Sequence, residues 1–220
     1  MTSSVVPMSK SPEEVRQTMR PPLSVAALPS ILGMYAFAAA TFIVAAHMAH
    51  WYGNAQSAIV LFPLVLIFGG LAQFCAGAWS LRANDAVASA MHCTWGSFWT
   101  AYGILQYLSS TGRLARPEGA FSELGFWFIV VAAITWAVTA ASRENRGISS
   151  LLALLAVGST LEAIAELTGV EWLRMLSGYF LMASALVAWY VASTLMIRFG
   201  KMGKTQPATP LPRGESVRAA

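Results

Sequence analysis

The stretch SAIVLFPLVLIFGGLAQFCAGAWSL, residues 57–81, contains no charged residue. A helix that crosses the hydrocarbon core of a bilayer needs about 20 predominantly apolar residues. This stretch is therefore long enough and apolar enough to span a membrane as one helix. Its second half is unusual, because Gln73 lies among glycines and alanines where a lipid-facing helix would carry leucine.

The composition places the whole chain in the same class. Its 220 residues are 56% hydrophobic and only 11% charged, whereas soluble domains carry about 25% charged residues. The chain is therefore predicted to be an integral membrane protein. Its net charge of +4 comes from basic residues in short loops and tails, and we expect no nucleic-acid partner. Cys75 and Cys93 lie in apolar segments and have no disulfide or metal-ligand spacing.

Six apolar stretches are long enough to span a bilayer. They cover residues 24–48, 57–81, 86–109, 121–141, 148–170 and 174–198. Because only short polar connections separate them, the predicted fold is an all-α bundle of six transmembrane helices within residues 21–199. Residues 1–20 and 200–220 are predicted to be polar tails, and the first lacks the apolar core of a signal peptide.

The distribution of Lys and Arg predicts the orientation of the helices. Eleven of the 14 basic residues fall in the two tails, at the end of the last predicted span (Arg198) or in the connections near 82 and 143–146, all on one side of the predicted membrane. The other three, Arg113, Arg116 and Arg174, fall on the opposite side. Cytoplasmic segments of membrane proteins carry the excess of Lys and Arg, so we predict that both termini are cytoplasmic.

Small residues in the second predicted span indicate a tight contact between helices. Gly69, Gln73 and Gly77 recur every four residues and share one helix face, with Ala72 and Ala76 beside them. In lipid, small residues let two backbones approach closely, and polar side chains form hydrogen bonds between helices. Gln73 is therefore predicted to lie in a helix–helix seam or to line an aqueous path, and the spacing leaves both interpretations open.

Prolines and aromatic residues give two further signals, each with two interpretations. Pro29 and Pro63 lie inside predicted helices, where proline removes a backbone hydrogen bond, and they mark ordinary kinks or a broken helix that lines a pore. The stretch TWGSFW, residues 94–99, places Trp95 and Trp99 on one face of the third span. These rings lie too deep for an interfacial aromatic belt, so they pack the bundle or narrow a conduit.

Two acidic residues lie inside the fifth predicted span. Glu162 and Glu166 share a helix face at a spacing of four, and no Lys or Arg lies within one turn of either along the chain. Because an ionised pair in lipid is costly, we predict that they face a cavity or that one of them holds a proton. A place among the lipid headgroups is a second interpretation of Glu166.

The three histidines form no recognisable site. His47 and His50 lie three residues apart at the outer end of the first span, where a metal ion or haem would need further ligands. His92 lies near the start of the third span. An interfacial position is the preferred interpretation, and we predict no metal site and no cofactor.

Three motifs together resemble the acetate uptake transporter family, also called the succinate–acetate permeases. They are GGLAQFCAG at 69–77, TWGSFW at 94–99 and LPRGES at 211–216. They are similar to the family's second-helix pattern, its tyrosine-glycine-serine-phenylalanine-tryptophan stretch and its C-terminal tail. The first helix departs from the family, which opens with asparagine-proline-alanine-proline-leucine-glycine-leucine. This chain instead has Pro21, Pro22, Leu23 and Ser24 after an arginine.

The resemblance implies a transport protein and not an enzyme. It implies a hexameric ring in which each protomer encloses its own path for acetate, similar monocarboxylates and sometimes succinate, coupled to protons or passive. The motif positions place Leu28 and Trp95 at a constriction, with Phe98 and Trp99 beside it and Gln73 and Ser97 as hydrogen-bond donors. Glu162 and Glu166 have no counterpart in the family pattern, but because they can take up protons they are candidates for proton coupling. The expected location is the plasma membrane, which in a bacterium is the inner membrane.

Two other classes of function are compatible with the sequence. A sensor or scaffold with the same fold would bind without transport, and a transporter of a different small solute would use the same path. An integral membrane enzyme would need a nucleophile, a metal cluster or paired acids in one cavity. The scattered histidines and cysteines do not form such a constellation.

Overall fold

The computed structural model describes residues 23–54, 56–115 and 121–205, and side chains for 29–54, 56–115 and 121–201. The regular elements in these ranges are all helical. They are α1 (Leu23–Met48), α2 (Ser57–Val65), α3 (Gln73–Arg82), α4 (Ala86–Ser110), α5 (Ser122–Ala141), α6 (Arg146–Thr168) and α7 (Glu171–Thr205). A π-helical segment, Leu66–Ala72, joins α2 to α3 without a break. We call the continuous rod Ser57–Arg82 the second span.

Six long helical rods correspond to the six predicted spans, and the all-helical membrane fold is confirmed. Their ends agree with the predicted ends within three residues, except that α7 continues to Thr205. Five of the rods are long and apolar enough to cross a membrane. The remaining rod, α4, is more polar, but its 25 residues extend about 37 Å, which is also sufficient. Neither Pro29 nor Pro63 breaks its helix.

The helices close into a ring whose order follows the chain. α1 packs against the second span and against α7, α7 packs against α6, and α6 packs against α5. α4 packs along the second span but touches α5 only slightly. The junction between α4 and α5 is therefore the loosest in the ring.

The chain alternates between the two ends of the ring. The turns at 83–85 and 142–145 lie at the same end as the start of α1 and the end of α7. We call this the inner end, because the charge pattern predicts it to be cytoplasmic. The orientation itself stays a prediction.

Glycines allow α4 to approach the second span at backbone distance. A Cβ added to Gly77 would lie 2.6 Å from the backbone nitrogen of Cys93, and one added to Gly96 would lie 2.6 Å from that of Phe74. A Cβ added to Gly70 would lie 3.1 Å from the backbone nitrogen of Thr100 and closer still to its hydroxyl oxygen. The predicted seam of small residues therefore exists, and its partner is α4. This close approach fixes the rotation of α4, and the neighbouring face of α4, which carries its large aromatic side chains, then lies toward the centre of the ring.

A tight turn joins α6 to α7. Gly169 adopts a left-handed conformation, with φ of 71°, and its N–H donates to the carbonyl of Ala165 at 2.8 Å. Glycine reaches this conformation without the steric cost that a Cβ adds. Because α7 begins at Glu171, the chain reverses within two residues, which brings the first turn of α7 beside the last turn of α6.

The glycine seam yields a stability prediction. In Gly96→Ala, the added methyl must push α4 away from the second span, and we expect a loss of about 1–3 kcal/mol from overpacking. The measurement is the thermal denaturation midpoint of the purified variant in detergent, which we expect to be lower than that of the unmodified protein. Gly200→Ala is the matched control, because no described atom lies within 4 Å of its added Cβ. Equal midpoints for the two variants would contradict the seam.

Candidate solute path

An aromatic barrier closes the centre of the ring. Its members are Trp95, Phe98, Trp99 and Tyr102 of α4, and Phe128 of α5. Phe98 stacks on Tyr102 with ring centroids 5.4 Å apart and meets Phe128 edge-on at 5.1 Å. The rings border an enclosed space of about 10 Å³, which we call the axial cavity; it has room for about one water molecule. Its wall is completed by Thr41, Val44, Ala45, Met48, Leu155 and Leu181.

A hydrogen bond fixes Trp95 in this barrier. The side chain is 2% exposed, and its Nε1–H donates to the hydroxyl of Thr135 at 3.1 Å. Thr135 in turn donates to the carbonyl of Val131 at 2.6 Å. Because a buried indole N–H normally has a partner, this chain of bonds sets the orientation of the ring in the wall of the axial cavity.

A wider vestibule lies on the inner side of the barrier. It has a volume of about 500 Å³, and its polar residues include Asp85, Ser142, Glu144 and Asn145. His92 also lines it, with its ring packed so closely on Gly33 of α1 that an added Cβ would lie 2.5 Å from the imidazole. Since His92 is one helical turn from Trp95, the vestibule ends directly at the aromatic barrier.

Gln73 lies between α1 and α4. It is 2% exposed, and its Oε1 has no hydrogen-bond partner among the described residues. One turn to either side of it, Gly69 faces Ala40 and Trp99, and Gly77 faces Cys93. Gln73 is therefore a buried polar side chain at the level between barrier and vestibule, and the described residues give it no interhelical hydrogen bond through its oxygen.

A cluster of charged residues lies on the outer side of the barrier. Arg174 is 3.2 Å from Glu166, 3.6 Å from Glu162 and 3.5 Å from the more exposed Glu171. Glu162 and Glu166 are 2% and 5% exposed. We call these four residues the outer cluster. Glu162 is seven residues from Leu155, which lines the axial cavity, so the two share a face and the cluster lies about 10 Å outward of that cavity.

The outer cluster corrects the interpretation of the acidic pair. In the sequence, no basic residue lies within one turn of Glu162 or Glu166, and the charge pattern assigns Arg174 to the outer side of the membrane without a partner. The two-residue turn at Gly169 folds Arg174 back between them. Both carboxylates are buried in the protein. The helix ends at Thr168, two residues after Glu166, and the headgroup depth of Glu166 stays a prediction. The short connection was the sequence signal for this pairing.

The other residues singled out from the sequence are spread over the molecule. Ser97 is exposed and lines a groove between α4 and α5, away from the axial cavity. His47 contacts the backbone carbonyl of Tyr52, and His50 contacts Glu171, both at the outer end. In the described part of the chain, no three His, Cys, Asp or Glu side chains form a metal-binding group.

The predicted partner of Trp95 is not seen beside it. The side chains of Leu28, Leu23 and Ser24 are not among the described side chains, and Pro21 and Pro22 lie outside the described residues. Leu28 lies thirteen residues before Thr41, which is about 20 Å along α1. At the level of Trp95, α1 contributes Thr41, whose side chain lines the axial cavity. Sequence analysis missed Thr41 because a single threonine in an apolar helix is unremarkable.

Comparisons with known proteins agree with this fold. The chain is 28% identical over 169 residues to "Ammonia transport outward protein 2" of Saccharomyces cerevisiae, an alignment that covers 74% of the chain but only 59% of the yeast protein. It is 25% identical over 196 residues to "Succinate-acetate/proton symporter SatP" of Escherichia coli, covering 86% of the chain and 95% of that protein. The solved structure of a bacterial acetate channel, SatP, superposes with a TM-score of 0.71 at 19% identity, over 81% of this chain and 97% of that one.

These three proteins are described as transport proteins, in agreement with the prediction of a transport protein and not an enzyme. A family model described as the GPR1/FUN34/yaaH family matches residues 14–213, which is nearly the whole chain. The chain is a multi-pass membrane protein that belongs to the GPR1/FUN34/yaaH family.

Proposed function

We propose that this chain carries acetate or a similar small monocarboxylate across the membrane along the axis of its own helix ring. The observation that carries the proposal is that the vestibule and the axial cavity follow one another inside the ring of helices, with the outer cluster about 10 Å beyond the axial cavity. Buried Gln73, between α1 and α4, is proposed to face this path. The similar bacterial proteins, described as a succinate–acetate symporter and an acetate channel, support the choice of solute.

The barrier suits a small acid for a physical reason. Moving an ionised carboxylate from water into an apolar region costs much free energy, whereas moving the protonated acid costs far less. A ring of aromatic side chains therefore favours a solute that sheds its water or takes up a proton. A neutral amide such as that of Gln73 can replace water around the solute without trapping it, and conduction requires such weak sites.

Ammonium is a second candidate solute. In the outer cluster, three carboxylates surround one guanidinium, an arrangement that attracts cations when the acids are ionised. A similar yeast protein is described as an ammonia transport protein. A sensor or scaffold that passes no solute is a third possibility, and flux separates all three.

The oligomer is part of the proposal. The outer faces of the second span and α5 carry large exposed apolar side chains, including Phe68, Trp79, Phe126 and Trp127. In a bilayer these faces meet lipid or another protomer. We infer a homo-oligomer, a hexamer by the family resemblance, in which each protomer contains its own path.

Uptake of labelled acetate into liposomes that contain the purified protein tests the proposed function. We expect saturable uptake that propionate and lactate inhibit. An inward proton gradient that accelerates uptake would indicate symport, whereas equal rates would indicate a channel. Uptake of methylammonium without uptake of acetate would favour the second candidate, and liposomes that take up neither solute would contradict transport.

Gln73→Leu tests the polar group next to the barrier. Leucine fills the seam but removes the amide, so we expect acetate uptake to fall about tenfold, the scale of one lost hydrogen bond to a charged group. Normal membrane insertion and an unchanged detergent midpoint are the controls. If uptake persists at the original rate, Gln73 plays no part in the path.

Trp95→Ala tests the width of the barrier. Removing the indole enlarges the axial cavity, so the uptake of propionate relative to acetate should rise roughly tenfold, as when a pocket stops discriminating against one methylene. Trp127→Ala is the matched control, because Trp127 is 61% exposed on the outer face of α5. Unchanged selectivity in Trp95→Ala would remove Trp95 from the path.

Glu162→Gln tests proton coupling through the outer cluster. The amide keeps the size of the side chain but cannot exchange a proton, so we expect the pH dependence of acetate uptake to flatten. Glu123→Gln, at an exposed position in the first turn of α5, should leave the profile intact. Identical profiles for Glu162→Gln and the unmodified protein would exclude Glu162 from coupling.

A further inference from the structure

Buried hydroxyl groups in these helices usually have a backbone partner. Ser80, Thr135 and Ser159 each donate to the carbonyl one turn earlier, at 2.6–2.9 Å. Ser177 donates across to α6 at 2.9 Å. Thr41 of α1 differs from them: it is 1% exposed, and its Oγ1 has no hydrogen-bond partner among the described residues.

The indole groups show the same contrast. Trp95 donates to Thr135 at 3.1 Å, and Trp136 donates to Thr160 at 3.2 Å. Trp99 is 4% exposed, yet its buried Nε1–H has no partner in the described part of the chain. One tryptophan in the aromatic barrier is therefore satisfied, and its neighbour one turn away is not.

The two unpartnered side chains border the same space. Both Thr41, on α1, and Trp99, on α4, line the axial cavity. Leaving a buried polar group without a partner costs about 1–3 kcal/mol, and native proteins seldom keep such groups without a bound water or ligand. Two of them around one enclosed cavity indicate an occupant with which both can bond.

The chemistry of the two groups restricts that occupant. An indole N–H can only donate a hydrogen bond, and a threonine hydroxyl can donate while it rotates freely. The occupant must therefore present an acceptor. A carboxyl oxygen is such an acceptor, whereas ammonium offers only donors. The cavity is about 10 Å³, which admits about one oxygen atom.

We propose that Thr41 and Trp99 form a two-donor site that holds one carboxyl oxygen of the solute inside the aromatic barrier. The identity of the solute rests on the proposed function. The site makes these two residues the determinants that select an acceptor oxygen over a cation at the narrowest part of the path. It also replaces hydration where the solute is most completely stripped of water.

Nuclear magnetic resonance of the indole groups tests binding without any need for transport. In the full chain with ¹⁵N-labelled tryptophan, in detergent micelles, the Trp99 signal is identified by its loss in Trp99→Phe. We expect sodium acetate to shift this signal downfield in a saturable manner, as an N–H that gains a charged acceptor should. Methylammonium chloride at the same concentrations should leave it in place.

Substitutions at Thr41 test the second donor. Thr41→Val keeps the shape of the side chain but removes the hydroxyl, so the half-saturating acetate concentration should rise about tenfold, both in uptake and in the shift of the Trp99 signal. Thr41→Ser, which keeps the hydroxyl, should have the same half-saturating acetate concentration as the unmodified protein. The matched controls are Thr160→Val and Trp136→Phe, which remove the same groups from a bonded pair outside the axial cavity, and neither should change that concentration.

The outcomes separate this site from the proposed function. A Trp99 signal that ignores acetate means that the cavity holds only water, and the site is overturned. A signal that moves equally with methylammonium also overturns it. If acetate crosses the membrane but Thr41→Val leaves its half-saturation unchanged, the site fails while transport stands. If the Trp99 signal saturates with acetate but no acetate crosses, transport fails while the site stands.

Discussion

The close contact between α4 and the second span determines the rest of the structure. Glycines at 77 and 96 let two helix backbones meet with no side chain between them, and this contact fixes the rotation of α4. The large aromatic side chains of α4 then lie at the centre of the helix ring. The same contact therefore determines where the aromatic barrier lies.

Polar groups at membrane depth explain the second level of organisation. Most hydroxyls are satisfied by their own helix, and Arg174 holds two buried carboxylates at the junction of α6 and α7. In lipid, unpaired groups of this kind would be strongly unfavourable. Seven buried side-chain polar atoms have no partner among the described residues. Those of Thr41 and Trp99 belong to residues that border the axial cavity, and the others are on Gln73, His92, Ser142, Glu162 and Arg174. Hydrogen bonds and ion pairs therefore hold the helices together, and the proposed site uses two of the atoms that have no partner.

The sequence predicted the fold better than the site. Helix number and ends follow from runs of apolar residues, which depend only on bilayer thickness, and the seam follows from local glycine spacing. The positions of Arg174 and Thr41 depend on how separate helices rotate against one another, and spacing within one helix does not contain that information. Ser97 illustrates the limit: it lies in the same motif as Trp95, yet a turn of about 200° around α4 sends it to the opposite side.

Four of the five barrier rings come from a single helix, α4, and they occupy adjacent turns. Under the proposed function, the selectivity of the path therefore depends mainly on one helix. A few substitutions in α4 would change which solutes pass, while the glycine face of the same helix keeps its contact with the second span. New specificities can then arise in this architecture without a new fold, provided that small residues stay on one side of α4 and variation stays on the other.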